Sequence, residues 1–271
     1  MWRGRWTVPR TDRRLTGFVV AALALATVAL IQPGIEYAQS NRGIRVMPLG
    51  DSITDGLNLP GAYRTSLWQR LAGARYTIDF VGSRFNGPPQ LGDHNHEGHS
   101  GWRIDEIDAH VVTWLRANTP HVVLLHIGTN DLDQNYRVSE APARLSTLVD
   151  HILANAPGVE LFVARITPET DPALEARVKA YNTALPAALR DKGPHVHLVD
   201  MHSALTTADL GDGVHPTAAG YAKMAAVWYS ALQSVPAALT PSGPPIDVSR
   251  IVGCSAVRMA CLLGGQAGQR W

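Results

Sequence analysis

The sequence predicts an α/β domain built on a five-stranded parallel sheet covered by helices on both faces. Short apolar runs alternate with helical stretches after residue 43, the pattern of strands joined by helical crossovers. A helical stretch between two of these runs carries Leu145, Leu148, Val149 and Ile152, spaced to bury one helix face. Apolar residues make up 45% of the 271-residue chain and charged residues only 17%, against roughly 25% charged in an ordinary soluble domain. That composition can fill a core on each side of a sheet.

Taken in order, the first strand is expected at Arg45–Leu49, running into Gly50-Asp51-Ser52-Ile53-Thr54. A helix follows at Tyr63–Ala72, then a strand at Thr77–Gly82 and a helix at Ile104–Ala117. The strand Val122–Gly128 is the most continuous apolar run, interrupted only by His126. Helix Glu140–Asn155, strand Val159–Arg165, helix Ala173–Asp191, strand Val196–Asp200 and helix Thr217–Gln233 complete the alternation. In such sheets a site forms beyond the carboxyl ends of the strands. Ser52, Asn130 and the segment Asp212–His215 all follow predicted strands, so one crevice can collect them.

Those segments hold the parts of a nucleophilic centre. A serine hydroxyl is a weak nucleophile near neutral pH and needs a base within hydrogen-bond reach. The base needs a partner that fixes its tautomer and stabilises its charged form. Ser52 lies on a strand-to-helix turn, and Asp212-Gly213-Val214-His215-Pro216 places an acid and an imidazole on one short loop. By itself Gly-Asp-Ser reads as an ordinary turn followed by a helix cap, and Asp-x-x-His as a loop pair. Two further blocks join them, Gly98-His99-Ser100-Gly101-Trp102 and Gly128-Thr129-Asn130-Asp131.

In order and setting, these four blocks resemble the SGNH (GDSL-type) hydrolase family, over roughly residues 44–232. The resemblance implies a three-layer, flavodoxin-like fold. It implies Ser52 as nucleophile, His215 as general base and Asp212 as the acid that orients it. Ser52 and Gly101 (backbone N–H) and Asn130 (side-chain amide) would form the oxyanion hole, with no metal and no organic cofactor. The division suits the residue types: glycine lets backbone approach closely, and asparagine offers a directional donor that does not titrate. Ile53 stands where the family usually has leucine. The stretch His96–Trp102 is similar to the carbohydrate-esterase branch that deacetylates xylan. An acylated carbohydrate or a small ester is therefore the expected substrate, with lipase or thioesterase chemistry on small acyl esters as the alternative. A glycan-binding module that keeps the fold without catalysis is a further one.

Other segments admit bland and sharp readings. Asp93-His94-Asn95-His96-Glu97-Gly98-His99 has the composition of a zinc site and keeps a zinc-dependent deacetylase open, but it lacks the helical His-Glu-x-x-His spacing. His126 reads as a satisfied buried histidine, and Asp51 and Asp131 as residues that bond nearby backbone. Asp200 is a competitor to Asp212. Trp102 reads as a core aromatic or as a platform for a sugar ring.

The termini differ in kind. Residues 1–40 read as a secretory signal peptide: five arginines between Arg3 and Arg14, then an uncharged run from Phe18 to Ile31. As a helix that run spans about 21 Å, short of a hydrocarbon core of about 30 Å. An extracytoplasmic address follows. An uncleaved signal anchor is the alternative and the only route to a membrane partner. The domain is expected over 44–235, and 236–271 as a Pro/Gly-containing linker and tail. Cys254 and Cys261 there are equally compatible with a bridge in a loop or with free thiols. A net charge of +1 and no basic block in the body argue against a nucleic-acid partner.

Overall fold

The computed structural model describes residues 43–240. The N-terminal segment and the tail carrying both cysteines lie outside the described residues. The chain forms β1 (Ile44–Gly50), α1 (Ser52–Asp55), α2 (Ala62–Gly73), β2 (Ile78–Phe80), β3 (Arg84–Phe85) and β4 (Asn95–Gly98). It continues through α3 (Ile104–Asn118), β5 (Val122–His126), α4 (Thr129–Asp133), α5 (Ala141–Asn155), β6 (Glu160–Ala164), α6 (Pro172–Leu189), β7 (Val196–Val199) and α7 (Ala218–Ser234).

All five expected strands are present and parallel. β1 pairs with β5, β5 with β6, and β6 with β7. On its other side β1 pairs in turn with β2 over Ile44–Val46 and with β4 at Leu49 and Gly50. β3 then adds antiparallel to β4, so the sheet has seven strands rather than five. The two extra strands are short and polar, Arg-Phe and Asn-His-Glu-Gly. No apolar run announces them, because backbone pairing holds them in place, β4 on the end of β1 and β3 on β4.

Alternation along the strands sends side chains to two separate cores. Val46, Leu124 and Phe162 face one layer, made by α2 and α7. Met47, Leu49, Val123, Leu125 and Val163 face the other, made by α3, α5 and α6. In the first layer Trp228 of α7 is fully buried, its ring centroid 6.0 Å from that of Tyr63 on α2. Burying an indole of that size is worth roughly 4–6 kcal/mol of gross transfer free energy. Packing continues past α7 through a 3-10 turn at Pro236–Leu239, where Ala238 and Leu239 are buried. The folded domain thus runs about one turn beyond the expected residue 235.

Candidate active site

Gly50, at the end of β1, is in register with Gly98 of β4 on one side and His126 of β5 on the other. The segments leaving these three strands therefore emerge together, and they carry Ser52, Gly101 and Asn130. α1 begins immediately at Ser52, with Asp51 as its cap: the Asp51 carboxylate accepts the Ile53 N–H at 3.0 Å. α1 lies so close to β4 that a Cβ on Gly98 would stand 2.4 Å from the Asp55 backbone nitrogen.

Ser52 Oγ lies 2.8 Å from His215 Nε2. On the far side of the ring, His215 Nδ1 lies 2.8 Å from Asp212 Oδ2. Asp212 Oδ1 accepts the backbone N–H groups of Val214 (3.1 Å) and His215 (2.7 Å), and Asp212 Oδ2 also accepts the Asn58 amide at 2.9 Å. Partial burial would raise the Asp212 pKa, but the His215 backbone and ring bonds and the Val214 N–H outweigh it and hold the carboxyl at about 2. The acid is thus ionised throughout the neutral range. Its loop is held from below, where the backbone and hydroxyl of Thr170 donate to the Gly213 carbonyl at 3.0 and 3.4 Å.

The turn holding Gly101 is similarly tied down. Ser100 Oγ donates to Asp55 Oδ2 at 2.6 Å, Gln134 Nε2 donates to the Gly101 carbonyl at 3.2 Å, and Trp102 N–H donates to the His99 carbonyl at 3.1 Å. Gly101 has φ +83°, a conformation that strains any other L-residue, and the space beside its Cα is open. One N–H of the Asn130 amide donates to the Trp102 carbonyl at 2.9 Å, which fixes the group and leaves its second N–H for another acceptor.

Below this surface lie buried acids. Burial pushes the Asp51 carboxyl up to about 7. Glu169, on the loop after β6, is pushed up to about 8 by burial and by the neighbouring charges of Asp133, Glu175, Asp212 and Asp51. Its Oε2 has no hydrogen-bond partner among the described residues.

Each remaining expected residue has a defined place. Asp131 is buried and accepts the Ile104 N–H at 3.0 Å and Arg144 at 2.5 Å, joining the start of α3 to α5. Asp200 accepts the backbone and hydroxyl of Ser203 and pairs with Arg165, and so does not meet His215. His126 departs from expectation: it is fully buried, but among the described residues its ring nitrogens find no partner in another residue, and burial lowers its pKa to about 4. In the histidine-rich stretch, Asp93 accepts the Phe80 and Asn95 N–H groups, His96 Nδ1 accepts the Gly98 N–H, and Glu97 holds Ser83 and His99. Among the described residues no three His, Cys, Asp or Glu side chains are grouped to hold a metal ion. Asn58 and Thr170, which fix the acid loop, carry no sequence signal. Both sit in loops, and only tertiary packing brings them to the site.

The GDSL-like lipase/acylhydrolase family matches residues 49–223. A multidomain esterase of Ruminococcus flavefaciens is 29% identical over 241 residues, covering 78% of this chain. The chain spans only 31% of that curated relative's length. Among solved structures, a Clostridium thermocellum family 3 carbohydrate esterase is 38% identical with TM-score 0.65, the similarity covering 71% of this chain and 96% of that one. A family 3 carbohydrate esterase from Talaromyces cellulolyticus is 28% identical with TM-score 0.63 over 71% and 97% of the two chains. The family match takes in every segment that meets at this end of the sheet, and the chain belongs to the GDSL-like lipase/acylhydrolase family.

Proposed function

We propose that the chain is a serine ester hydrolase that removes acetyl or other short acyl groups from a polysaccharide such as xylan, through an acyl-serine intermediate. The observation that carries this reading is the unbroken relay from Ser52 Oγ through His215 to Asp212, with 2.8 Å at each junction. His215 Nε2 takes the Ser52 proton as the oxygen attacks the ester carbonyl, and Asp212 stabilises the resulting imidazolium. The carbonyl oxygen becomes an oxyanion facing the N–H groups of Ser52, Gly101 and Asn130. Collapse breaks the bond to the alcohol, which leaves with the proton from His215. Water then gives up a proton to His215, attacks the acyl-serine, and releases the acid with Ser52 restored.

The polysaccharide assignment draws on the His96–Trp102 stretch and on the two relatives described as family 3 carbohydrate esterases. An extracytoplasmic address, from the N-terminal segment, suits a polymeric substrate. The test is acetate release from acetylated xylan by wild type and Ser52→Ala, with a small aryl acetate alongside. Release that disappears in the mutant is the expected outcome. Ser52-dependent cleavage of the aryl ester alone would discard xylan and favour small acyl esters. Full activity in Ser52→Ala would refute the mechanism, and inactivity of the wild type on both esters would favour a glycan-binding module.

A further inference from the structure

The Gly101 turn is anchored from behind by an assembly that the relay does not use. Glu97, on β4, is completely buried. Its carboxylate accepts the Ser83 backbone N–H at 2.7 Å, the Ser83 hydroxyl at 2.6 Å and His99 Nε2 at 2.8 Å. The His99 ring lies against two indoles, 4.3 Å and 24° from Trp102 and 4.6 Å and 11° from Trp114 of α3, whose own ring centroids are 6.1 Å apart. Its backbone N–H donates to the carbonyl of Gly50, two residues before the serine, at 2.8 Å. His99 is therefore fixed at its backbone and its ring nitrogen, and its ring packs against both indoles. It is two residues from Gly101, and its carbonyl closes the turn by accepting the Trp102 N–H.

We infer that Glu97 and His99 are positioning residues for the oxyanion turn, holding the Gly101 N–H in place through the His99 backbone and the ring cluster of His99, Trp102 and Trp114. This rests on the proposed role of Gly101 as an oxyanion donor. Several features set the assembly apart from ordinary core packing. A buried carboxylate with three donors is a costly way to fill space. Here it ends on a ring that touches both tryptophans, while the Asn130 amide donates to the Trp102 carbonyl. A preorganised donor is worth most when it cannot drift as charge develops. Loss of the anchor should weaken transition-state binding and leave ground-state binding alone.

The test is His99→Phe, which keeps a ring against the indoles and removes the bond to Glu97, with Glu97→Gln as the companion. Steady-state hydrolysis of a small aryl acetate would be measured beside inhibition by phenylboronic acid. That compound accepts the Ser52 oxygen at boron, passes the serine proton to His215, and presents a tetrahedral oxygen to the same donors. Expected is a fall in kcat of tenfold or more with KM within about twofold, and a matching rise in the boronate inhibition constant. An unchanged kcat and boronate affinity, or a change confined to KM, would overturn the inference. If His99→Phe does not fold, Glu97→Gln decides by the same criteria. Ser52→Ala in the same assay separates the two levels. Inactive Ser52→Ala beside a fully active His99→Phe removes only the positioning role, whereas active Ser52→Ala removes the reading beneath it.

Discussion

Replacing Asp212 by Asn changes a single atom, and the structure specifies which hydrogen bonds must fail. Asp212 Oδ1 serves two backbone donors, Val214 and His215, while Oδ2 serves the His215 ring and the Asn58 amide. An asparagine has one carbonyl oxygen for these two positions. If that oxygen stays with the backbone pair, its NH2 faces His215 Nδ1. The ring must then accept there and carry its proton on Nε2, where it cannot take one from Ser52. If the amide flips, the ring is satisfied but two backbone N–H groups face an NH2. Stranding donors costs about 1–3 kcal/mol each when buried, less on a partly exposed loop, so about 2–3 kcal/mol is reasonable for the pair. The lost charge adds about 1–2 kcal/mol, since the carboxylate side chain is 45% exposed and the effective dielectric there is high. Together about 3–5 kcal/mol predicts a fall in kcat/KM of roughly 10²–10⁴ for Asp212→Asn. The assay is aryl acetate hydrolysis near neutral pH, with circular dichroism to confirm an intact fold. A folded Asp212→Asn variant within threefold of wild type would refute the tautomer argument and remove Asp212 from the relay.

Further outcomes follow from the same geometry. Asn130→Ala removes a fixed donor and is expected to lower kcat by about 10²–10³ with little change in KM; a change confined to KM would assign Asn130 to ground-state binding. In Gly98→Ala the new Cβ meets Asp55 backbone at 2.4 and 2.8 Å, so α1 must shift. A stability loss of about 1–3 kcal/mol and a larger proportional loss of activity are expected, and unchanged kinetics would mean that the serine turn tolerates displacement. The third concerns Glu169, whose pKa rises from 4.5 to about 8 on folding, mainly through burial. Between those values the native state holds a proton that the unfolded chain releases, so stability falls as pH rises through this window. Glu169→Gln should flatten that fall and raise the melting temperature relative to wild type near pH 8. Parallel curves for the two proteins would show that Glu169 is already ionised in the fold.

The sheet and its covering helices were legible because their signals are local. β5 is five buried residues, Val-Val-Leu-Leu-His, and α5 repeats its buried positions at helical spacing. β3 and β4 were not legible, since polar residues held by an adjacent strand leave no periodic trace. Arg64 is a sharper instance. It is fully buried on α2, where its guanidinium donates to the carbonyls of Thr54, Asn86 and His94 and to the Asn86 side chain. Sequence offers nothing to distinguish it from a surface arginine. Ser52, Asp212 and His215 were singled out by four short blocks and the family they resemble, and the structure brings the three side chains within hydrogen-bond reach of one another in sequence. Glu97 and His99 lie in a stretch whose composition suits a metal site and whose spacing does not, because the same residue types serve metal binding and buried hydrogen bonding.

Ser52 and His215 are 163 residues apart in the chain, and their contact has a kinetic meaning for synthesis. The hydrogen bond between them cannot close until β1, the parallel strands beside it and the segment leading into α7 have all assembled. Closing so long a loop is entropically unfavourable until intervening contacts form. Until then the serine is an ordinary alcohol with no base to activate it. Under the proposed mechanism, activity therefore reports completion of the whole domain, and a nascent or misfolded chain would be chemically silent.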